Sequence, residues 1–122
     1  MASIEQIRVR GGGPLEGTIP VGGAKNSVLK LMAATLLAEG AYHLHNVPRI
    51  TDVDLMSDLL CATGCNIARD GTTLRIDVPA EIEPVAPYEI VEQFRASIVV
   101  MGPMLARCGE ARVAMPGGDD FL

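Results

Sequence analysis

The sequence predicts an α/β fold assembled from repeated strand–helix units, and three observations predict it. Short apolar strands alternate with helices along the chain, the order that lays helices against a sheet. The pattern recurs at long period: Ser27 and Ser97 each open an apolar helix and stand 70 residues apart, and the glycines that close those helices, Gly40 and Gly109, stand 69 apart. Finally, 122 residues that are 48% hydrophobic and 20% charged carry enough apolar surface for one core, which rules out a disordered chain.

Taken in order, Ile7–Arg10 reads as a short strand closed by Gly11-Gly12-Gly13-Pro14. Gly17–Val21 reads as a second, with Pro20 suited to an edge or a strand end. The glycine turn at Gly22–Ser27 runs into a helix over 28–37 whose only polar members are Lys30 and Thr35. Such a helix is expected to be buried on nearly every side. Glu39-Gly40 ends it, Gly40 being suited to a left-handed terminal turn, and 41–47 reads as a strand. Thr51-Asp52-Val53-Asp54 fits a capping pattern with Thr51 as N-cap, and Val53, Met56, Leu59 and Leu60 recur at helical spacing. Gly64 closes that helix. Asp70-Gly71 between 66–69 and 73–78 marks a hairpin, and the alternation of Leu74, Ile76 and Val78 gives its second strand one buried face. Residues 79–87 read as a surface connection. Arg95-Ala96-Ser97 opens the second apolar helix, which ends near Cys108-Gly109 and leads to a strand over 111–114. Repeats of this length are stacked units, and the second stops about halfway, so the chain is expected to be a piece of a larger protein.

Charge and composition narrow the function. Ten basic against fifteen acidic side chains, a net charge of −5, speak against a nucleic-acid backbone as partner, and a chain with no Trp, two Tyr and two Phe is poorly supplied for base stacking. Three cysteines, Cys61, Cys65 and Cys108, fit free thiols in a reducing compartment. Cys61 and Cys65 are expected to be core thiols. No apolar stretch reaches the length needed to span a bilayer, so a cytoplasmic protein without membrane contact is expected. His43 and His45 would share a strand face, but no third ligand is evident, so no metal or other cofactor is expected.

Three places could carry chemistry. At Gly22–Ser27 the glycines allow close backbone approach, the helix start offers amides to an anion, and Lys25 adds a full charge. On spacing alone this is either an anion site or a plain strand-to-helix turn with a solvated lysine. Arg95 occupies the place of Lys25 in the repeat, so the two cations could converge on one phosphate; equally, it could pair with Glu92. Met115-Pro116-Gly117-Gly118-Asp119-Asp120 is a tight turn that either presents a general acid or is a soluble loop.

Gly23-Ala24-Lys25-Asn26, Leu36-Leu37-Ala38-Glu39-Gly40, Asn46-Val47-Pro48, Phe94-Arg95-Ala96-Ser97 and Pro116-Gly117-Gly118, in that order, closely resemble the UDP-N-acetylglucosamine enolpyruvyl transferases (1-carboxyvinyltransferases). The related shikimate-pathway transferases carry Gly-Ser-Lys-Ser where this chain has Gly-Ala-Lys-Asn and match less well. The resemblance implies inside-out βαβαββ repeats, here one full repeat (about 17–78) and part of a second (about 88–122). Residues 22–122 would then be an incomplete first domain, and the strands within 1–21 would belong to the second domain. It implies transfer of the enolpyruvyl group from phosphoenolpyruvate to the 3′-hydroxyl of UDP-N-acetylglucosamine, the first committed step of peptidoglycan and hence cell-wall synthesis, on which cell shape and division depend. By position, Lys25 and Asn26 match residues that contact phosphoenolpyruvate and the sugar nucleotide, and Arg95 matches a sugar-nucleotide arginine. Asp119 matches the proton donor, which is cysteine in most relatives and aspartate in mycobacterial and chlamydial ones. An aspartate there implies insensitivity to fosfomycin, which alkylates the thiolate. The family continues with an Arg-Pro-x-Asp segment that this chain lacks, so the chain alone is expected to be inactive, and its uncovered apolar faces make self-association an expectation. The rivals are a non-catalytic sugar-nucleotide or phosphate-binding module, and a transferase acting on another nucleotide or on shikimate 3-phosphate.

Overall fold

A computed structural model describes residues 5–93 and 95–114. The chain is an α/β structure with two linked strand–helix units. In the first, helix α1 (Lys25–Ala34) continues into a 3₁₀ turn (Thr35–Leu37), followed by β1 (Gly40–Leu44), α2 (Thr51–Ala62), β2 (Asn66–Asp70) and β3 (Thr73–Val78). In the second, β4 (Val85–Ala86), a single helical turn α3 (Tyr88–Val91), a 3₁₀ segment (Arg95–Val100), α4 (Met101–Cys108) and β5 (Arg112–Val113) follow.

The first unit is organised by its hairpin. Gly71 takes the positive φ of +58° that the turn needs, and β2 and β3 pair antiparallel with Ile67 opposite Ile76. β1 adds antiparallel to the other edge of β3, placing Tyr42 opposite Ile76 and His43 opposite Arg75, so the strand order is β1-β3-β2. Because side chains alternate, Leu74, Ile76 and Val78 fall on one face and are buried, while Ala41, His43, Ala68 and Arg75 face water on the other. The helices lie against the apolar face. Val28, Leu29, Met32 and Ala33 of α1 and Val53, Met56, Leu59 and Leu60 of α2 fill the core, as the helical spacing of the α2 residues predicts. Val91, Val100 and Met104 bring the second unit into the same core.

Several expectations are corrected. Strands at Ile7–Arg10 and Gly17–Val21 are not formed: residues 5–24 have no regular structure, and Ile7 and Val21 are 92% and 91% exposed. A strand exists only where a neighbour accepts its backbone hydrogen bonds, and no described element does so here. The first helix is not buried all round; α1 leaves Leu31 on the surface, and Leu37 in the 3₁₀ turn is exposed as well. Gly40 adopts φ +151° as the first residue of β1, not as a left-handed helix cap. Thr51 is the first helical residue of α2; the extended Ile50 precedes it, and no side chain caps the helix. Cys61 is exposed, whereas Cys65 is buried, and burial pushes its thiol above the usual range.

The second apolar segment also differs from a continuous helix. Pro103 lacks an amide hydrogen, and its ring would collide with the carbonyl four residues earlier in a longer α-helix. The chain instead winds as 3₁₀ over Arg95–Val100 and becomes α-helical at Met101, so Pro103 sits in the first turn. Gly109 ends α4 in the left-handed conformation, φ +74°, its amide donating to the Leu105 carbonyl at 2.9 Å. Within the stretch expected to be a bare connection, β4 forms and pairs in parallel with β5, Val85 opposite Arg112. The strand expected over 111–114 is thereby found at Arg112–Val113.

Arg107 fastens the two units together. Its guanidinium donates to the Leu36 carbonyl at 3.0 Å, to Pro79 at 2.6 Å and to Ala80 at 2.8 Å. One side chain thus satisfies three carbonyls, one within the 3₁₀ turn that follows α1 and two just past the end of β3. No helix among the described residues is long and apolar enough to cross a membrane. Replacing Arg107→Met is expected to lower unfolding free energy by about 1–3 kcal/mol in urea titration, because charge-assisted bonds are lost and carbonyls are left without donors. A change below about 0.5 kcal/mol would contradict the role given to Arg107.

Candidate active site

The amino end of α1 is where the glycine turn and Lys25, one of the two sequence-predicted cations, meet. Ala24 precedes the helix in an extended conformation, φ −86° and ψ 135°, and no side chain caps the first turn. The first helical bond runs from the Val28 amide to the Ala24 carbonyl, 3.1 Å. Lys25 and Asn26 are therefore the first two residues of an uncapped helix end, and both are exposed. Such an end offers backbone N–H groups and a positive dipole to an anion, and Lys25 adds a formal charge.

Gly23 explains why the turn lies where it does. A Cβ at this position would stand 1.9 Å from the Asn46 carbonyl oxygen and 3.0 Å from Cδ of Pro48, so only glycine fits. Asn46 itself takes φ 56°, a conformation asparagine tolerates better than most residues. The segment that Gly23 touches is pinned to the hairpin. The Val47 amide donates to the Thr72 carbonyl at 2.8 Å. Arg69 donates from Nη2 to the carbonyls of Val47 (2.9 Å) and Pro48 (3.2 Å), and from Nε to that of Gly71 (3.0 Å). The hairpin holds Asn46–Pro48, which sets the glycine turn, which sets Lys25.

A second tie comes from α2. Asp52, in its first turn, places a carboxylate oxygen 2.7 Å from Lys25 Nζ. A cation at the positive end of a helix is unfavourable, and this carboxylate offsets it. Beside the turn lies a depression of about 210 Å³ lined by Gly23, Ala24, Ser27, Val28, Leu31, His43, Leu44, His45 and Asn46. His45 Nδ1 lies 3.2 Å from the Thr73 hydroxyl, so this ring is tied to the sheet. Among the described residues no group of three or more His, Cys, Asp or Glu side chains is placed to hold a metal ion.

Of the predicted site residues, Lys25 and Asn26 share the first turn of α1. Arg95 opens the 3₁₀ segment that packs against α1, and it is exposed. Asp119, like every residue from Met115 to Asp120, lies outside the described residues. The structure adds two residues that sequence patterns did not single out. Asp52 reads as an ordinary helix-start acid, and Arg69 as an ordinary strand residue; only the fold brings them to the site. The Asn46-Val47-Pro48 motif was the available signal that something holds this region.

The family model described as EPSP synthase (3-phosphoshikimate 1-carboxyvinyltransferase) matches residues 9–121. The chain is 54% identical over 115 residues to a UDP-N-acetylglucosamine 1-carboxyvinyltransferase of Corynebacterium efficiens, covering 94% of this chain and 27% of that protein. It is 53% identical over 115 residues to the one of Mycobacterium tuberculosis, covering 94% of this chain and 28% of that protein. Among solved structures, the enolpyruvyl transferase NikO from Streptomyces tendae superposes with a TM-score of 0.70 at 25% identity, over 83% of this chain and 24% of that one. The chain thus spans about a quarter of the length of the curated relatives it matches.

The packing of the turn makes a paired prediction. Gly23→Ala is expected to destabilise the chain by about 1–3 kcal/mol or more, since backbone carbonyl rather than a flexible side chain must move. Gly22→Ala, with nothing within 4 Å of the added methyl, is expected to stay within about 0.5 kcal/mol of the parent. Equal effects of the two in thermal or urea unfolding would contradict the close approach at Asn46.

Proposed function

The chain belongs to the EPSP synthase (3-phosphoshikimate 1-carboxyvinyltransferase) family, and from that premise we propose that it supplies one wall of the active site of a longer enolpyruvyl transferase. The acceptor we assign is the 3′-hydroxyl of UDP-N-acetylglucosamine, and the donor is phosphoenolpyruvate. The choice of acceptor is supported by relatives of that name at 53–54% identity. One observation carries the site: Lys25 and Asn26 occupy an uncapped helix end whose position is fixed by Gly23 against Asn46.

The chemistry follows from what each group offers. Phosphoenolpyruvate is a small, highly charged anion, and its phosphate gains from a lysine ammonium and oriented amides more than from water. Lys25 supplies the charge, and the Asn26 amide can donate to a carboxylate or a sugar hydroxyl. Arg95 is assigned to the sugar nucleotide. In the addition step a proton moves from the Asp119 carboxylic acid to the vinyl methylene carbon. The acceptor oxygen bonds to the adjacent carbon and gives its proton to a base. The resulting tetrahedral phospho-ketal then loses phosphate as the carbon–oxygen bond breaks and a proton leaves the methyl group. A carboxyl group serves as donor only if its surroundings keep it protonated. We assign residues 1–21 to a sheet completed by the rest of the longer enzyme. The exposed, apolar Ile7, Val9, Ile19 and Val21 support that assignment.

We further assign the protein to the cytoplasm and to peptidoglycan synthesis, with an Asp119 carboxyl that gives fosfomycin no thiolate to alkylate. Its test is phosphate release by the complete enzyme containing this segment. Lys25→Met is expected to lower kcat/KM by roughly 100-fold or more, as losing a preorganised charge does. Activity at the parent level would overturn the assignment. Turnover with shikimate 3-phosphate in place of UDP-N-acetylglucosamine would overturn the acceptor. The 122-residue chain by itself is expected to release no phosphate. Fosfomycin is expected to leave no adduct by mass spectrometry, and an adduct at Asp119 with lost turnover would contradict the role of that side chain.

A further inference from the structure

Lys25 stands where a lysine has little reason to stay. It is the first residue of α1, at the positive end of that helix, and 58% of its side chain is exposed. Its ammonium rides on a flexible four-carbon stem, so a counter-charge decides where it spends its time. Asp52 is that counter-charge, with Oδ2 2.7 Å from Nζ and only 25% of its side chain exposed.

The two partners are held unequally. Asp52 lies in the first turn of α2, alongside Asp54, where the helix's positive end favours a carboxylate. The carboxylate is thus the anchored member of the pair and the lysine the mobile one. The α2 terminus also offsets part of the Asp52 charge, which limits its repulsion of an arriving anion. An ammonium has three hydrogens, so it can keep Asp52 and still donate to a phosphate. We propose that Asp52 is a positioning residue that holds the Lys25 ammonium over the amino end of α1 before the phosphate ester binds. This inference rests on the assignment of Lys25 to phosphoenolpyruvate.

The test uses the complete enzyme at a temperature where circular dichroism shows every variant folded. Asp52→Asn is expected to raise KM for phosphoenolpyruvate roughly fivefold, with kcat changed much less, a size set by a half-exposed ion pair. Asp52→Glu, which keeps the charge, is expected to recover part of the loss. In a Lys25→Met background, Asp52→Asn is expected to change nothing further, because its effect passes through the lysine. Where Lys25→Met leaves too little turnover to read, acetylation of Lys25 followed by mass spectrometry replaces it. The rate at Lys25 is expected to rise severalfold in Asp52→Asn as the ammonium is released. An unchanged or lower KM in Asp52→Asn, an equal rise in the Lys25→Met background, or an unchanged acetylation rate would overturn the proposal. A Lys25→Met enzyme with parental KM would overturn this proposal together with the assignment of Lys25, whereas a raised KM in Lys25→Met beside a parental KM in the Asp52→Asn single variant would overturn this proposal alone.

Discussion

The site depends on a contact that has no room for a methyl group. Gly23 lies so close to the Asn46 carbonyl that an added Cβ would sit at 1.9 Å, and this contact fixes where α1 begins. Without it, the turn before the helix would be an exposed glycine loop with many conformations and a high ordering cost. With it, the backbone of residues 23–25 is set against a segment that the sheet already holds, so Lys25 inherits its place from the hairpin.

The same device, an arginine gathering carbonyls, appears twice. Arg69 collects Val47, Pro48 and Gly71, and Arg107 collects Leu36, Pro79 and Ala80. Apart from that of Leu36, which lies in the 3₁₀ turn after α1, these carbonyls belong to chain between or beyond the strands and helices. A guanidinium presents five donors in a rigid plane and bridges such groups without a regular element. Arg69 serves the site within the first unit, and Arg107 ties the second unit to the first, so both units present their helix starts from one connected core.

The local elements were legible where the signal was local. Asp70-Gly71 and the alternation of Leu74, Ile76 and Val78 specify the hairpin and its buried face, and the spacing of Val53, Met56, Leu59 and Leu60 specifies the inner side of α2. What failed depended on partners. The apolar residues of 7–21 have strand character but no described neighbour to pair with. β4 and β5 are two residues each, too short for a periodic signal, and exist because they pair in parallel across the helices between them. Pro103 reset the winding of the second helix through a clash that composition does not display. At the site, Lys25 and Asn26 were found because glycines before a helix are a visible pattern. Asp52 and Arg69 were passed over because they act across 27 and 22 residues of sequence, on Lys25 and Val47. Asp119 came from family resemblance, and it lies outside the described residues.

The most direct measurement is a crystal structure of the complete enzyme with phosphoenolpyruvate bound. The Lys25 ammonium should then lie within hydrogen-bond distance of the phosphate or carboxylate, with Gly23 still seated on Asn46 and Asp52 still touching Nζ. A bound phosphoenolpyruvate remote from the amino end of α1, with Lys25 facing bulk water, would contradict the central claim.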